Sequence, residues 1–100
     1  MIVEFEAQLW RWEARRDDGW VFVSLPAEAS DEIHDLTDGQ RRGFGSVRVK
    51  VRIGTSTWRT SIFPNGKLGT YALPIKKGVR TAQHIDAGDS AKVVVELVDF

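Results

Sequence analysis

Val47-Arg48-Val49-Lys50-Val51-Arg52-Ile53 alternates apolar and basic side chains over seven residues without a break. Successive side chains of a β-strand point to opposite faces, so this stretch is a strand with a Val/Ile face in the core and an Arg/Lys face in water. The β-branched apolar set suits a pleated, half-buried surface. Upstream, Val3, Phe5, Ala7 and Leu9 alternate with Glu4, Glu6 and Gln8 in the same way and predict an opening strand with an acidic outer face. Trp20 to Leu25 predicts a second strand after Asp18-Gly19, a dipeptide suited to the positive φ angles of a tight hairpin.

Antiparallel pairing outward from that turn sets Ala14 against Val23 and Trp12 against Leu25, which places Trp10 and Trp12 on the side of Val21, Val23 and Leu25. Val3 to Leu9 and the tryptophans then face the core together only if one residue is inserted near Leu9-Trp10, a β-bulge of the kind that bends barrel strands. Without the bulge, Trp10 and Trp12 form an exposed patch. The buried arrangement is the expectation.

Downstream of Leu25, Pro26 opens a non-strand stretch, and Ser30-Asp31-Glu32-Ile33 reads as a helix N-terminus running to about Leu36. Gly39, Gly43 and Gly45 mark a loop into the basic strand, and Gly54-Thr55 turns the chain into a strand over 56–63. Pro64-Asn65-Gly66 is a turn by composition. A strand over 71–75, a short helix from Lys76 to about Gln83 and a final strand over 90–98 complete the chain.

The two halves, approximately 1–54 and 55–100, repeat one another. Gly19 to Leu25-Pro26 has a counterpart in Gly69 to Leu73-Pro74, each followed by a short helix, a glycine-bearing loop and an alternating strand that starts at Ser46 or Ser90. Two strand-strand-helix-strand halves interlocked about a pseudo-two-fold axis satisfy this pattern. The expectation is a single mainly β domain over 1–100, a barrel of about six to seven strands with two short helices.

Several segments resemble the domain-of-unknown-function family 1905 of small bacterial and archaeal proteins. They are Gly19-Trp20-x-Phe22-Val23-x-Leu25-Pro26, Trp58 to Pro64, Gly69-x-Tyr71-x-Leu73-Pro74-Ile75-Lys76-Lys77-x-Val79-Arg80, and Gly88-Asp89. The resemblance implies a double-split β-barrel, the architecture that dimeric swapped-hairpin regulators assemble from two chains. It brings no established activity with it.

Apolar residues at 42% and charged residues at 28% are globular values, and no apolar run is long enough for a membrane helix. Acids at Glu4 and Glu6 stand where an export signal would carry bases. With no cysteine there is neither a disulfide framework nor a thiolate site. A cytoplasmic protein is expected. The net charge is zero but uneven: residues 1–40 carry ten acids against three bases, 41–80 carry ten bases and no acid, and 81–100 carry four acids and Lys92. The basic stretch either forms a surface for an anionic partner or is neutralised by acidic strands beside it.

His34 and His84, the only histidines, have no enforced partner, and His34 with Asp31, Asp35 and Asp38 reads as a solvated helix face rather than a metal site. No phosphate loop, nucleophile elbow or zinc-protease motif occurs. No catalytic residue, metal ligand or cofactor is assigned. At positions matching the family segments, Trp20, Arg59, Tyr71, Lys76 and Arg80 are the candidate ligand-binding residues, since guanidinium and ammonium groups beside an aromatic wall suit a carboxylate or phosphate. The expected function is a non-enzymatic binding module for a small anionic ligand or a protein partner, monomeric or weakly dimeric and without membrane contact. The alternative is nucleic-acid binding through Arg48, Lys50 and Arg52.

Overall fold

In the computed structural model, which describes residues 1–12, 20–37, 45–66 and 69–99, the alternating basic stretch is a central strand with all four apolar residues buried and all three basic residues exposed. The elements in chain order are β1 (Ile2–Gln8), β2 (Trp10–Arg11), β3 (Val21–Ser24), α1 (Ala27–Leu36), β4 (Val47–Ile53), β5 (Ser56–Asn65), β6 (Thr70–Pro74), α2 (Lys77–Gln83) and β7 (Ser90–Leu97). The strands form one antiparallel sheet in the order β1-β7-β4-β5-β6-β3-β2.

The two edge strands of that order, β1 and β2, are consecutive in the chain and are joined through Leu9 alone. With strands about 4.8 Å apart, a flat sheet of this order would hold its edges roughly 29 Å apart. One residue spans only about 3.5 Å. The sheet is therefore curled into a barrel-like wrap. Leu9 sits at the junction: its amide donates to the Asp89 carbonyl at 2.8 Å, its carbonyl accepts the Gly88 amide at 2.8 Å, and its side chain is buried. β5 makes a similar change of partner. Its residues up to Ile62 pair with β4, and Phe63, Pro64 and Asn65 pair with β6.

Inside the wrap, Val49, Val51, Ile62, Leu73, Val93 and Val95 are fully enclosed, and Leu25, Ile33 and Ile75 join them from the segments at or near the helices. Each such side chain contributes roughly 1.5–3 kcal/mol by leaving water. The β4–β5 hairpin turns through Gly54, whose φ of 57° lies in the left-handed region that a two-residue hairpin loop requires. Gln83 at the end of α2 secures this turn, donating from Nε2 to Thr55 Oγ1 at 3.0 Å and to Ser56 Oγ at 2.9 Å.

Besides Pro64 and Asn65, which stay in β5 opposite Tyr71 and Thr70 where a turn is expected, three expectations are corrected. The N-terminal hairpin pairs Trp10 with Phe22 and Arg11 with Val21, and the Trp12 amide donates to the Trp20 carbonyl, rather than Trp12 facing Leu25. The register is displaced by an odd number of residues, so every side chain of β2 lies on the opposite face from that expected. Second, no phase change occurs at Leu9: Phe5, Leu9 and the partner position of Val21 stay on the inner side, while Trp10 and Trp12 lie outside with Glu4 and Glu6. The tryptophan patch is thus outward. Third, α1 begins one turn earlier than Ser30, with Pro26 at the N-cap position. Proline lacks an N–H and is tolerated where helix amides have no partner anyway. Ser30 is buried instead, and its Oγ accepts the Tyr71 amide at 3.1 Å. The Asp18-Gly19 turn and the Gly39 and Gly43 loop lie outside the described residues.

Within the sheet, the antiparallel pairing of β3 with β6 includes Val23 opposite Leu73, and that of β4 with β7 includes Val51 opposite Val95. The flanking bonds of the first pair mirror each other, from the Leu25 amide to the Tyr71 carbonyl at 2.9 Å and from the Ile75 amide to the Val21 carbonyl at 2.8 Å. The helices begin at Ala27 and Lys77, so the N-cap Pro26 corresponds in position to Lys76 rather than to Pro74.

Candidate functional site

The Ile75–Val21 bond fixes the start of α2 against β3, and the first turn of the helix buries Val79 and Arg80. Arg80 is only 6% exposed. Its Nε donates to the Ile75 carbonyl at 3.1 Å and its Nη1 to Asp86 Oδ1 at 3.1 Å. Its Nη2 is buried and has no hydrogen-bond partner among the described residues. An arginine keeps its charge at any ordinary pH, so an unpaired guanidinium nitrogen out of water is a cost that the fold carries at this point.

Asp86 is held by the turn that follows α2. His84 ends the helix in the left-handed conformation with φ of 55°, and the Ile85 amide returns to the Arg80 carbonyl at 3.0 Å. The Asp86 amide donates to Asp89 Oδ2 at 2.9 Å, and Asp86 Oδ1 accepts the Ala87 amide at 2.8 Å. That backbone bond first, and then the bond from Arg80, hold the Asp86 carboxyl below its ordinary pKa. Asp86 is ionised in the folded protein at neutral pH. Across the opening, Arg11 Nη2 lies 3.9 Å from the same Oδ1.

Together Arg11, Lys77, Arg80, Thr81, His84, Ile85 and Asp86 line an open cleft of about 330 Å³, at the lower end of the size range of small-ligand pockets. Arg11, Lys77 and Arg80 face one carboxylate, so the cleft is cationic. The groups that line it are the Arg11 and Arg80 guanidinium groups, the Lys77 ammonium and the Thr81 hydroxyl, donors of the kind that suit a carboxylate or phosphate.

The sequence candidates fall in different places. Arg80 lines this cleft, and Lys76 is exposed at the N-cap of the same helix. Tyr71 is buried in the core, with its hydroxyl unpartnered. Trp20 lies on the outer face of β3's end in an aromatic group with Trp10, Trp12 and Phe22. Arg59 is exposed on β5 and lines a separate shallow hollow with Arg48, Thr60, Ser61 and Phe63. Arg48, Lys50 and Arg52 share the outer side of β4. His34 sits on α1, 3.9 Å from Asp35. Among the described residues no group of three or more His, Cys, Asp or Glu side chains is placed to hold a metal. Asp38 lies outside them.

Arg11 and Asp86 are not among the sequence candidates. For Arg11 the sequence does carry a signal: the inward phase of Val3, Phe5, Ala7 and Leu9, carried on without a bulge, falls on a cation at position 11. The Arg11 side chain is 37% exposed and reaches the mouth of the cleft, 3.9 Å from Asp86.

None of the described helices is long and apolar enough to cross a membrane. Comparison with curated proteins finds no match. The sequence model of the domain of unknown function DUF1905 matches residues 5–95, nearly the whole curled sheet and both helices, and the chain therefore belongs to that family.

Proposed function

We propose that this domain is a non-enzymatic binding module whose ligand is a small anion, a carboxylate or phosphate compound, received in the Arg80 cleft. The observation that carries this reading is the Arg80 guanidinium, nine-tenths buried with Nη2 unpartnered, beside Arg11 and Lys77. Nη2 is enclosed, so a ligand oxygen pairs with it only once the Arg80 side chain turns toward the cleft; Arg11 and Lys77 at the opening would balance the anion's charge. As to architecture, we read the domain as a double-split barrel of two halves related by a pseudo-two-fold axis. The pairings of Val23 with Leu73 and Val51 with Val95, and the helix starts at Ala27 and Lys77, support this. The reading fits a monomer or weak homodimer in the cytoplasm.

Thermal unfolding with sodium phosphate, pyrophosphate or citrate tests it. At 10 mM of an anion bound with Kd of about 1 mM, the folded state gains about 1.4 kcal/mol, or roughly 6–11 °C in a domain of this size. Such anions also stabilise proteins generally through exclusion from the surface, so the informative quantity is the difference between the native protein and Lys77→Ala or Arg80→Met. The reading expects the gain to fall at least by half in Lys77→Ala and to vanish in Arg80→Met beyond that general effect. Equal gains in all three proteins would refute it.

A further inference from the structure

Apart from the Arg80 cleft, the outer surface of the sheet divides in two along β5. On one side β4 presents Arg48, Lys50 and Arg52 to water, and Arg59 of β5 stands directly opposite Lys50. Like charges directly opposite each other across a ladder destabilise a sheet. Among the described residues no ion pair neutralises these four cations. The nearest acid in the ladder, Glu96, is the other neighbour of Lys50, while Glu4 and Glu6 lie a strand further on, opposite Val94 and Lys92. Glu96 thus offsets Lys50 alone, and Arg48, Arg52 and Arg59 have no acid directly opposite them in the ladder.

On the other side the surface is aromatic. Phe63, 45% exposed, follows Arg59 and Ser61 on the same face of β5 and lines a hollow of about 280 Å³ with Arg48 and Arg59. It pairs with Ala72, which in turn pairs with Ser24 of β3, where Trp10 Nε1 donates to the Ser24 hydroxyl at 3.0 Å. Two strand spacings, about 10 Å, lead from Phe63 to Ser24, and Trp20 lies roughly 13 Å further along the chain from Ser24, where it and Trp12, 40% and 42% exposed, pack around Phe22.

We infer that this outer face binds single-stranded nucleic acid, with backbone phosphates along Arg48, Lys50, Arg52 and Arg59 and unstacked bases on Phe63 and the exposed tryptophans. Cations tracking a backbone beside flat rings are the two elements by which single strands are held without sequence preference. The charge complementarity favours a polyanion over a second copy of the chain. A second copy could offer the acids of β1 to these cations reciprocally about a two-fold axis, but it would leave the exposed rings beside them without flat partners. A duplex keeps its bases stacked and would leave the rings unused.

Fluorescence anisotropy of labelled 20-nucleotide oligothymidylate, oligouridylate and a 20-base-pair duplex across a salt series tests the inference, with light scattering on the same samples. The expected result is micromolar binding of one or both single strands, weaker binding of the duplex, and a log–log salt slope reaching about −3 if all four cations engage. Preference between the two oligomers tells DNA from RNA. Lys50→Gln/Arg59→Gln, both exposed, should shallow the slope by roughly 1.4. Phe63→Ala should weaken binding about tenfold and leave the slope alone. Absence of binding at 20 mM salt, duplex bound as tightly as single strand, insensitivity to Phe63→Ala, or self-association that Arg59→Gln abolishes would each overturn it. Arg80→Met, which empties the proposed small-anion site of its guanidinium, should leave nucleic-acid binding unchanged, so the two readings fail separately.

Discussion

Replacing Arg80 with methionine separates a residue kept for the fold from one kept for a ligand. Methionine fills similar space without charge. The substitution removes the donor to the Ile75 carbonyl, a charge-assisted bond of about 2 kcal/mol. It also removes the bond to Asp86, which is 59% exposed and remains within 3.9 Å of Arg11, so that loss is about 0.5 kcal/mol. Against these stands the relief of the buried, unpartnered Nη2, about 2 kcal/mol. A broken buried ion pair usually costs about 3–5 kcal/mol because a charge is stranded in the interior; here the stranded partner is in water. The expected net change is therefore a loss of about 0–1 kcal/mol, measured by urea unfolding with an unchanged m-value. Stability close to that of the native protein together with lost anion binding is the predicted pattern. A loss of 3 kcal/mol or more would refute the reasoning and identify Arg80 as a structural keystone.

Three further outcomes follow from the same geometry. Asp86 has a folded-state pKa below its unfolded value, so its contribution to stability is complete above the unfolded pKa, near 4, and is lost as pH falls through the lower folded value. Acid unfolding curves of Asp86→Asn should consequently be flatter than those of the native protein below pH 4, and identical steepness would contradict this. Gly54→Ala should cost about 2–3 kcal/mol in chemical unfolding: about 1–2 for a left-handed backbone with a side chain, the rest from pushing aside the Gln83 amide that a Cβ would meet. In a Gln83→Ala background only the backbone part should remain. Tyr71→Phe removes a buried hydroxyl that has no partner and keeps the Ser30 bond, which involves only the backbone amide. Its stability should be unchanged or up to about 1 kcal/mol higher, and a loss beyond 1 kcal/mol would show the hydroxyl to be paired.

How far the sequence could be read depended on how local the determining interaction was. The 47–53 strand, the 90–97 strand and the Gly54 turn are encoded by alternation and by one backbone conformation, both visible in a few residues. The N-terminal hairpin misled because Asp18-Gly19 suggests a two-residue turn, whereas Trp12 and Trp20 are already hydrogen-bonded and leave seven residues between them. With that turn, only a bulge near Leu9-Trp10 keeps the tryptophans in the core. The simpler course, unbroken alternation from Val3 to Trp12, would have placed the tryptophans outside and Arg11 inside. Ser30 looked like a helix cap because its chemistry suits one; that it instead accepts the Tyr71 amide, forty-one residues away, is a matter of tertiary packing. The cleft is non-local for the same reason. Arg80 was legible as a candidate, but Arg11 and Asp86 reach it only because Leu9 joins the two edges of the sheet beside the 85–89 turn.

Whether the Arg80 guanidinium receives an anion can be read from the arginine Nε–H signals in ¹H–¹⁵N spectra while pyrophosphate is added. The Arg80 signal, slowed in exchange by its bond to the Ile75 carbonyl, should shift and saturate with Arg11 moving alongside it, and Arg80→Met should remove the whole response. An Arg80 signal that stays in place while Arg48 and Arg59 shift would contradict this, because the anion would then be held on the outer face of β4 and β5 and the cleft would have no ligand.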